Sequence, residues 1–417
     1  MASLTRALRH RNFRLFFGGQ AVSLVGTWLT RFAMAWMAYT LSDSGWQIGL
    51  VAFFGQAPSS IIAPFAGVLV DRWNRHRVIV VTQILASLQS AALALFAFTG
   101  WMTVWDLMWL GAIQAAINAF DMPARQSFLG QMVEDRADLP NAIALNSSMV
   151  NGARLVGPVA AAALVAAFGE GWCFAIDAAS YIAVIASLLM MTVPKRGPAK
   201  GRGYVWAEMK EGWRYVAHGA PLVRAVLLAL TATSVLAGAY SNTLMPLLNG
   251  DELGGGEHSL GVLMAAGGCG ALCGALYLAS RSSIVGLGGV IARCNLGLGA
   301  SLACLGFVTS VWLATPLVFV LGTCLMVQMA STNTIIQTVV DSDKLGRVMS
   351  LYAVSFFGGA PVGALLDGTL ASAFGVRPTF VAAGLAAVTC AIVFRKRLPK
   401  LRLETRSLYV RLGLIEE

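Results

Sequence analysis

Long apolar runs alternate with short polar stretches along almost the whole chain. Each run is close to the roughly 20 residues that a helix needs to cross a bilayer. Irregular backbone cannot face lipid, because its polar groups would find no hydrogen-bond partner there, so each run predicts a membrane-spanning helix. The twelve predicted spans are 14–41, 46–70, 78–99, 104–122, 142–168, 173–193, 221–247, 259–280, 284–308, 311–336, 347–373 and 377–395.

A polar stretch near the middle of the chain divides these spans into two sets of six. Residues 194–202 are rich in basic side chains, and residues 206–215 combine tryptophan, tyrosine and charges in the pattern of an amphipathic helix at a membrane surface. The predicted domains are therefore an N-terminal six-helix bundle at 1–193, a cytoplasmic linker with an amphipathic helix at 194–220, a C-terminal six-helix bundle at 221–395 and a cytoplasmic tail at 396–417.

The composition supports an integral membrane protein. The chain is 57% hydrophobic and 12% charged, whereas a soluble domain carries about 25% charge. A net charge of +10 would suggest a nucleic-acid partner in a soluble protein. Here most lysines and arginines fall on one side of the membrane if the N-terminus is cytoplasmic. This positive-inside pattern predicts a multi-pass protein of the bacterial inner membrane, with both termini in the cytoplasm and no nucleic-acid partner.

The sequence contains no recognisable motif for enzymatic chemistry. It has neither a Gly-x-x-x-x-Gly-Lys-[Ser/Thr] phosphate loop nor a His-Glu-x-x-His pair, and its seven cysteines lie in or beside apolar runs. We therefore expect no direct use of ATP, no metal, no cofactor and no enzymatic activity. The expected partners are a small-molecule substrate, a proton gradient and the lipid bilayer, with the protein acting as a monomer.

A charged turn between the second and third spans contains Gly67, Asp71, Arg72 and Arg75. Asp71 is placed to face the N-terminus of a helix in the other half, where the helix dipole favours a carboxylate by about 0.3–1 kcal/mol. Arg75 can reach Asp121 at the cytoplasmic end of the fourth span. These contacts predict a latch that closes the cytoplasmic side. The alternative is that the arginines only anchor the loop as positive-inside charges.

The fifth span carries a second unusual motif, in which Arg154 is followed by Gly157 and Pro158. The eleventh span, at the corresponding place in the second half, also contains a proline, Pro361. This echo between the halves predicts a duplicated six-helix unit. Such a repeat is typical of secondary transporters whose substrate site lies between the halves near the membrane midplane.

Taken together, these motifs resemble those of the major facilitator superfamily. The 67–75 turn is similar to its motif A, and the fifth-span motif is similar to its antiporter motif C, although Ala160 and Ala161 replace later glycines. Further motifs resemble those of the drug–proton antiporter branch that contains enterobactin exporters and macrolide-efflux proteins. They are Asn12-Phe-Arg14, Asp121-x-Pro-x-Arg125, the series Asn141, Asn146, Asn151, Arg154, Gly157 and Pro158, and Gly346-Arg-Val-Met-Ser350. The resemblance covers residues 10 to about 395. It implies an all-α membrane fold of two pseudo-symmetric six-helix bundles that transport by alternating access.

Five charged residues lie well inside predicted spans, away from their ends, and each needs a partner or a water-filled cavity. Arg31, in the first span, could bind an anionic substrate or hold a carboxylate that takes up the proton. Arg154 and Arg293 are further candidates for a role in substrate or proton transport. Asp177 and Asp367 are candidate proton carriers, because burial favours the neutral form of a carboxyl group. For all five residues, a purely structural ion pair or hydrogen bond is the alternative.

Uncharged polar residues on the spans that line the cavity in this superfamily complete the predicted path. Each could instead serve helix packing. They are Gln20, Gln114, Asn118, Asn242, Gln328 and Asn333.

The predicted function is a proton-coupled exporter of amphipathic small molecules, such as drugs or siderophores. One alternative keeps transport but changes cargo and coupling, giving a pH-independent facilitator or a transporter of siderophores, lysophospholipids or metal-related compounds. Another is a membrane-embedded sensor or scaffold that moves nothing. The first span has no carboxylate near Thr27, where many drug–proton antiporters carry one, so the candidate proton carriers lie on other spans.

Overall fold

The computed structural model describes residues 5–411 apart from 43, 193–204, 238–239, 241 and 282, and all regular structure in that part of the chain is helical. The helices are α1 Arg11–Leu41, α2 Gly45–Phe54, α3 Ala57–Arg72, α4 Arg75–Thr99, α5 Val104–Met132, α6 Leu139–Phe168, α7 Glu170–Leu189, α8 Val205–Gly219, α9 Pro221–Ala237, α10 Leu244–Leu247, α11 Glu257–Ala279, α12 Leu287–Leu305, α13 Val311–Val339, α14 Ser342–Phe357, α15 Gly359–Phe374 and α16 Val376–Arg411. Short 3₁₀ turns occur at Arg6–Arg9 and Arg136–Asp138, and a π-helical turn at Leu248–Glu252.

The all-α membrane fold predicted from the sequence is confirmed. Eight of the described helical segments are long and apolar enough to cross a membrane, and a bent pair formed by part of α8 and α9 would make a ninth. The remaining predicted spans are covered by α1, by α2 with α3, and by α5. These helices are consistent with the predicted count of twelve.

Three predicted spans are interrupted in the structure. The second span breaks between α2 and α3, where Pro58 lies in the first turn of α3. The eleventh breaks at Gly358, and Pro361 lies in the first turn of α15. A proline has no amide hydrogen with which to continue the preceding hydrogen-bond ladder, so a new helix begins at each of these points. The predicted span 221–247 is divided between α9 and α10. At the other end of the chain, α16 continues through most of the predicted tail.

The first of two compact units comprises Met1–Asp43, Phe54–Arg202 and Gly256–Ala265. Within it, α1 packs against α5, α6 and α7, and α4 packs against α5 and α7. Small residues permit the close approach of α1 and α7. A Cβ atom added at Gly19 would lie only 2.6 Å from Ser187 Oγ, and one at Gly26 only 2.8 Å from a carboxylate oxygen of Asp177. Close helix approach through glycine is a common solution in membranes, where burial gives little driving force between helices.

The second unit comprises Ser44–Phe53, Gly203–Gly255 and Ala266–Glu417. Here α12 packs against α13 and α16, while α9 packs against α14, α15 and α16. The helix α2 belongs to this unit because a Cβ at Gly49 would lie 2.7 Å from the Ala364 carbonyl oxygen of α15. The predicted division into bundles at 1–193 and 221–395 stays a prediction.

One turn is repeated in the two sequence halves. Gly169 joins α6 to α7 with a φ of 86°, and Gly375 joins α15 to α16 with a φ of 92°. Only glycine adopts these angles without strain, so both tight reversals depend on it. Their matching places, between the fifth and sixth helices of each predicted half, agree with the repeat inferred from the sequence.

Candidate functional site

Asp177 is almost completely buried in the first unit, with 1% of its surface exposed. Thr30 Oγ1 of α1 and Ser90 Oγ of α4 both donate to its Oδ2 at 2.9 Å. The other oxygen, Oδ1, accepts no hydrogen bond from the protein in the described part of the chain. The absence of a side chain at Gly26 leaves room for this carboxyl group between α1 and α7. The site thus holds a buried acid with one carboxyl oxygen that the described protein atoms leave unbonded.

Two arginines flank one indole beside this acid. The guanidinium carbon of Arg31 lies 5.0 Å from the centre of the Trp28 ring, and that of Arg154 lies 5.9 Å from it. Both distances are within the roughly 6 Å over which a cation is attracted to an aromatic face. Among the described residues, no carboxylate lies within 4.0 Å of either guanidinium. Arg31 and Arg154, predicted separately from the sequence, are therefore brought together by a residue that the sequence analysis did not single out.

Gly157 explains how α6 comes so close to Trp28. A Cβ atom added at Gly157 would lie 2.2 Å from the Trp28 Cβ, a distance that real Cβ atoms do not reach. The next residue, Pro158, is buried within α6. Gly157 therefore has a local structural role, which is to let α1 and α6 touch at the level of the two arginines.

Other predicted polar residues of the first unit lie on α1 and α5. Gln20 is buried, and its side-chain oxygen has no partner in the described part of the chain. The Gln114 amide donates to Asn118 Oδ1 at 3.3 Å, as their four-residue spacing on a helix allows. The Gln114 side-chain oxygen is likewise buried and unbonded to the described protein atoms.

Asp121 is held by neighbours of its own unit. It forms an ion pair with Arg125 at 2.5 Å and accepts hydrogen bonds from Thr82 Oγ1 at 2.8 Å and Gln83 Nε2 at 2.9 Å. The spacing of Arg125, one helical turn after Asp121, was available in the sequence as a signal for this pair. The predicted contact between Arg75 and Asp121 stays a prediction.

The motif A residues occupy the end of α3 and the start of α4. Gly67 and Arg72 lie in α3, and the side chain of Asp71 falls outside the described residues, so its predicted latch is not assessed by the structure. Asn74, which the sequence analysis did not use, caps α4 by accepting a hydrogen bond from the Arg77 amide at 3.1 Å. Such a cap stabilises a helix start by about 1 kcal/mol.

In the second unit, Asp367 is the counterpart of Asp177 as a buried acid. It is 4% exposed, and its Oδ2 has no hydrogen-bond partner in the described part of the chain. Gln328 of α13 is fully buried with neither amide atom bonded to the described protein atoms. Asn333 accepts a hydrogen bond from Gln337, and Asn242 lies in the turn before α10. The two acids are thus in different units, each with one unbonded oxygen.

A charged cluster at the N-terminus was not predicted. His10 Nε2 hydrogen-bonds Asp138 Oδ2 at 3.0 Å, and Arg9 Nε lies 2.8 Å from the same oxygen, with Arg6 at 3.9 Å from Oδ1. The hydrogen bond from His10 and the nearby arginine charges lower the pKa of Asp138 below its ordinary value. The Ala7 amide also donates to Asn141 Oδ1 at 2.9 Å. Together these contacts fasten the segment before α1 onto the start of α6.

Comparison with solved structures defines the fold class. A bacterial homologue of the human lysosomal transporter Spinster, solved in an inward-facing and unoccupied conformation, superposes with a TM-score of 0.70 at 14% identity, over 96% of this chain and 98% of that one. At that identity the likeness establishes the fold, which is that of major facilitator transporters.

Sequence comparison then assigns the family. The major facilitator family described as transmembrane secretion effector matches residues 2–409, so the chain belongs to that family and is a transporter rather than an enzyme. Macrolide efflux protein A of Streptococcus pyogenes is 24% identical over 92% of this chain and 96% of its own length. The Staphyloferrin A transporter of Staphylococcus aureus is 22% identical over 94% of this chain and 98% of its own length.

Proposed function

We propose that the protein exports amphipathic small molecules across the bacterial inner membrane by alternating access, in exchange for protons. Membership of the secretion-effector family and similarity to a macrolide efflux protein support export of a small molecule. The proposed organisation is two six-helix bundles joined by a cytoplasmic linker, with both termini in the cytoplasm and motif A latching the cytoplasmic side. This arrangement matches the general design of secondary transporters with internal repeats.

The observation that carries proton coupling is the pair of buried acids, Asp177 and Asp367. Each is at most 4% exposed and has one carboxyl oxygen without a protein partner in the described part of the chain. An ionised carboxylate at membrane depth is costly, so such a group is suited to alternate between a protonated and an ionised form as its access to water changes. Asp121, in contrast, is satisfied by an arginine and two hydrogen bonds, and is better suited to a structural role.

Flux in proteoliposomes with an imposed pH gradient tests the proposal. An acidic exterior should accelerate export of a cell-permeant amphipathic dye by the wild-type protein. At least one of the variants Asp177→Asn and Asp367→Asn should lose that acceleration while still exchanging the dye down its own gradient. Asp106→Asn is a matched control, because Asp106 caps the start of α5 with a hydrogen bond that asparagine can also accept. A wild-type flux rate that is the same with and without the pH gradient would support the facilitator alternative. Absence of flux for every compound in a folded protein would support a scaffold.

A further inference from the structure

We propose that Arg31, Trp28 and Arg154 form the binding site for an anionic group next to an aromatic or other flat apolar group of the transported molecule. This inference rests on the proposed export function and specifies its substrate class. The three side chains lie on α1 and α6 within one compact unit, so their geometry is internal to that unit.

The first argument is the charge of the site. Two guanidinium groups share one indole ring, and neither has a carboxylate within 4.0 Å among the described residues. Two like charges placed against the same ring repel each other, and the indole compensates only part of that cost, since a cation on an aromatic face gains about 0.5–2 kcal/mol. A ligand anion would relieve the repulsion. It would also offer the planar, two-oxygen geometry that a guanidinium recognises best.

The second argument is access. Arg31 is exposed and Arg154 is partly exposed, although both lie inside membrane-spanning helices. A guanidinium facing lipid near the membrane centre is costly, and such groups almost always face the protein interior or a water-filled cavity. The exposed face of Arg31 is therefore one that water, and a ligand arriving through water, can reach.

The third argument is the contrast with Arg293, which also lies inside a predicted span. Arg293 of α12 donates a hydrogen bond from Nε to the Gly289 carbonyl oxygen of its own helix at 3.3 Å, and its guanidinium makes no cation–π contact with an aromatic ring of the described residues. Its guanidinium is thus partly satisfied by the backbone, whereas those of Arg31 and Arg154 have the Trp28 ring as their described partner. The same residue type serves two different purposes in the two units.

Asp177 adjusts this site rather than neutralising it. It accepts a hydrogen bond from Thr30, the residue before Arg31, but forms no ion pair with Arg31 in the described part of the chain. A bound anion would be repelled by ionised Asp177, so anion binding and protonation of Asp177 favour each other, as linkage requires.

Calorimetric titration of the full-length protein in nanodiscs tests the site. The probes are 2-naphthoate, its uncharged amide 2-naphthamide and the cation 2-naphthylmethylammonium, which share one aromatic group. We expect 2-naphthoate to bind at least ten times more tightly than either analogue, because a hydrogen bond to a charged group is worth about a factor of ten or more. Arg31→Gln and Arg154→Gln should each remove most of that preference, and Trp28→Leu should weaken all three probes.

The matched control is Arg293→Gln, which removes an arginine from a span of the other unit and should leave the preference for 2-naphthoate unchanged. If Arg31→Gln does not give a monodisperse protein, Arg31→Lys keeps the charge while losing the two-pronged donor, and should still weaken 2-naphthoate binding measurably. Equal affinity for 2-naphthoate and 2-naphthamide would overturn the proposal, and so would an equal loss in the Arg31 and Arg293 variants.

Transport assays separate this inference from the proposed function. Tight binding of 2-naphthoate that depends on Arg31, without any flux of the compound, would support the site and contradict export. Flux of 2-naphthoate that equals the flux of its neutral and cationic analogues and is unaffected by Arg31→Gln would support export and contradict the anion site.

Discussion

Replacing Gly157 by alanine tests the geometry that brings the two arginines together. The added Cβ would meet the Trp28 Cβ at 2.2 Å, whereas ordinary contact begins at about 3.4 Å. A Cβ atom cannot rotate away from its own backbone, so α1 and α6 must separate locally by about 1.2 Å, the difference between these two distances. Forcing an extra methyl group into a packed interface costs about 1–3 kcal/mol, partly offset by the roughly 1 kcal/mol gained when alanine replaces glycine within a helix.

The same displacement has a larger effect on the candidate site. If Arg154 moves with α6, its distance from the Trp28 ring rises from 5.9 Å to about 7 Å, beyond the roughly 6 Å reach of a cation–π contact. We therefore expect Gly157→Ala to lose most of its affinity for 2-naphthoate while its melting temperature falls only slightly.

A control glycine lies on the same helix. A Cβ at Gly152 would meet nothing within 4 Å, so Gly152→Ala should keep both the wild-type affinity and at least the wild-type melting temperature. Calorimetry in nanodiscs gives the affinity, and thermal unfolding in detergent gives the stability. Wild-type 2-naphthoate binding by Gly157→Ala would show that close approach of α6 to Trp28 does not build the site, and would refute the reasoning.

Three further predictions concern acids and an ion pair. Asp177→Asn should tighten 2-naphthoate binding severalfold, because it removes an acid that is hydrogen-bonded to Thr30, the residue before Arg31; weaker binding in the calorimeter would contradict the linkage. The pKa of Asp138 is lowered, so its stabilising contribution is present above its unfolded pKa of about 3.9 and is lost as pH falls through the lower folded value. Asp138→Asn should therefore lower the melting temperature at pH 7 and converge with the wild type in strong acid, and a constant difference across pH would count against this. Glu211→Gln should change stability by less than about 1 kcal/mol, because its ion pair with Arg347 is largely exposed, and a large shift in unfolding would show that this pair matters more than its exposure suggests.

Much of the architecture followed from hydropathy. The ends of α1, α4, α6, α7, α12 and α13 lie within a few residues of the ends of the predicted spans. This agreement arises because, outside closed barrels, only a helix satisfies the hydrogen bonds of a backbone in lipid. The breaks at Pro58 and Gly358 were missed as helix ends, since hydropathy reports how apolar a segment is and carries no information about its hydrogen-bond ladder.

The candidate site was predictable only in part. Arg31, Arg154, Asp177 and Asp367 stood out because charge is costly within a membrane span. Trp28 did not, because an uncharged side chain needs no partner within a span, and its role depends on which side chains lie against its ring.

The sequence by itself determined the environment of each segment. It showed which stretches lie in lipid and which charged residues need a partner there. Only the tertiary structure decided which residues serve as those partners. Thr30 and Ser90 meet Asp177 across 147 and 87 residues of chain, and Gly157 lets Arg154 share an indole with Arg31. The physical reason is that transfer into a membrane depends on each segment's own composition, whereas the pairing of polar groups depends on helix contacts between segments far apart in the chain.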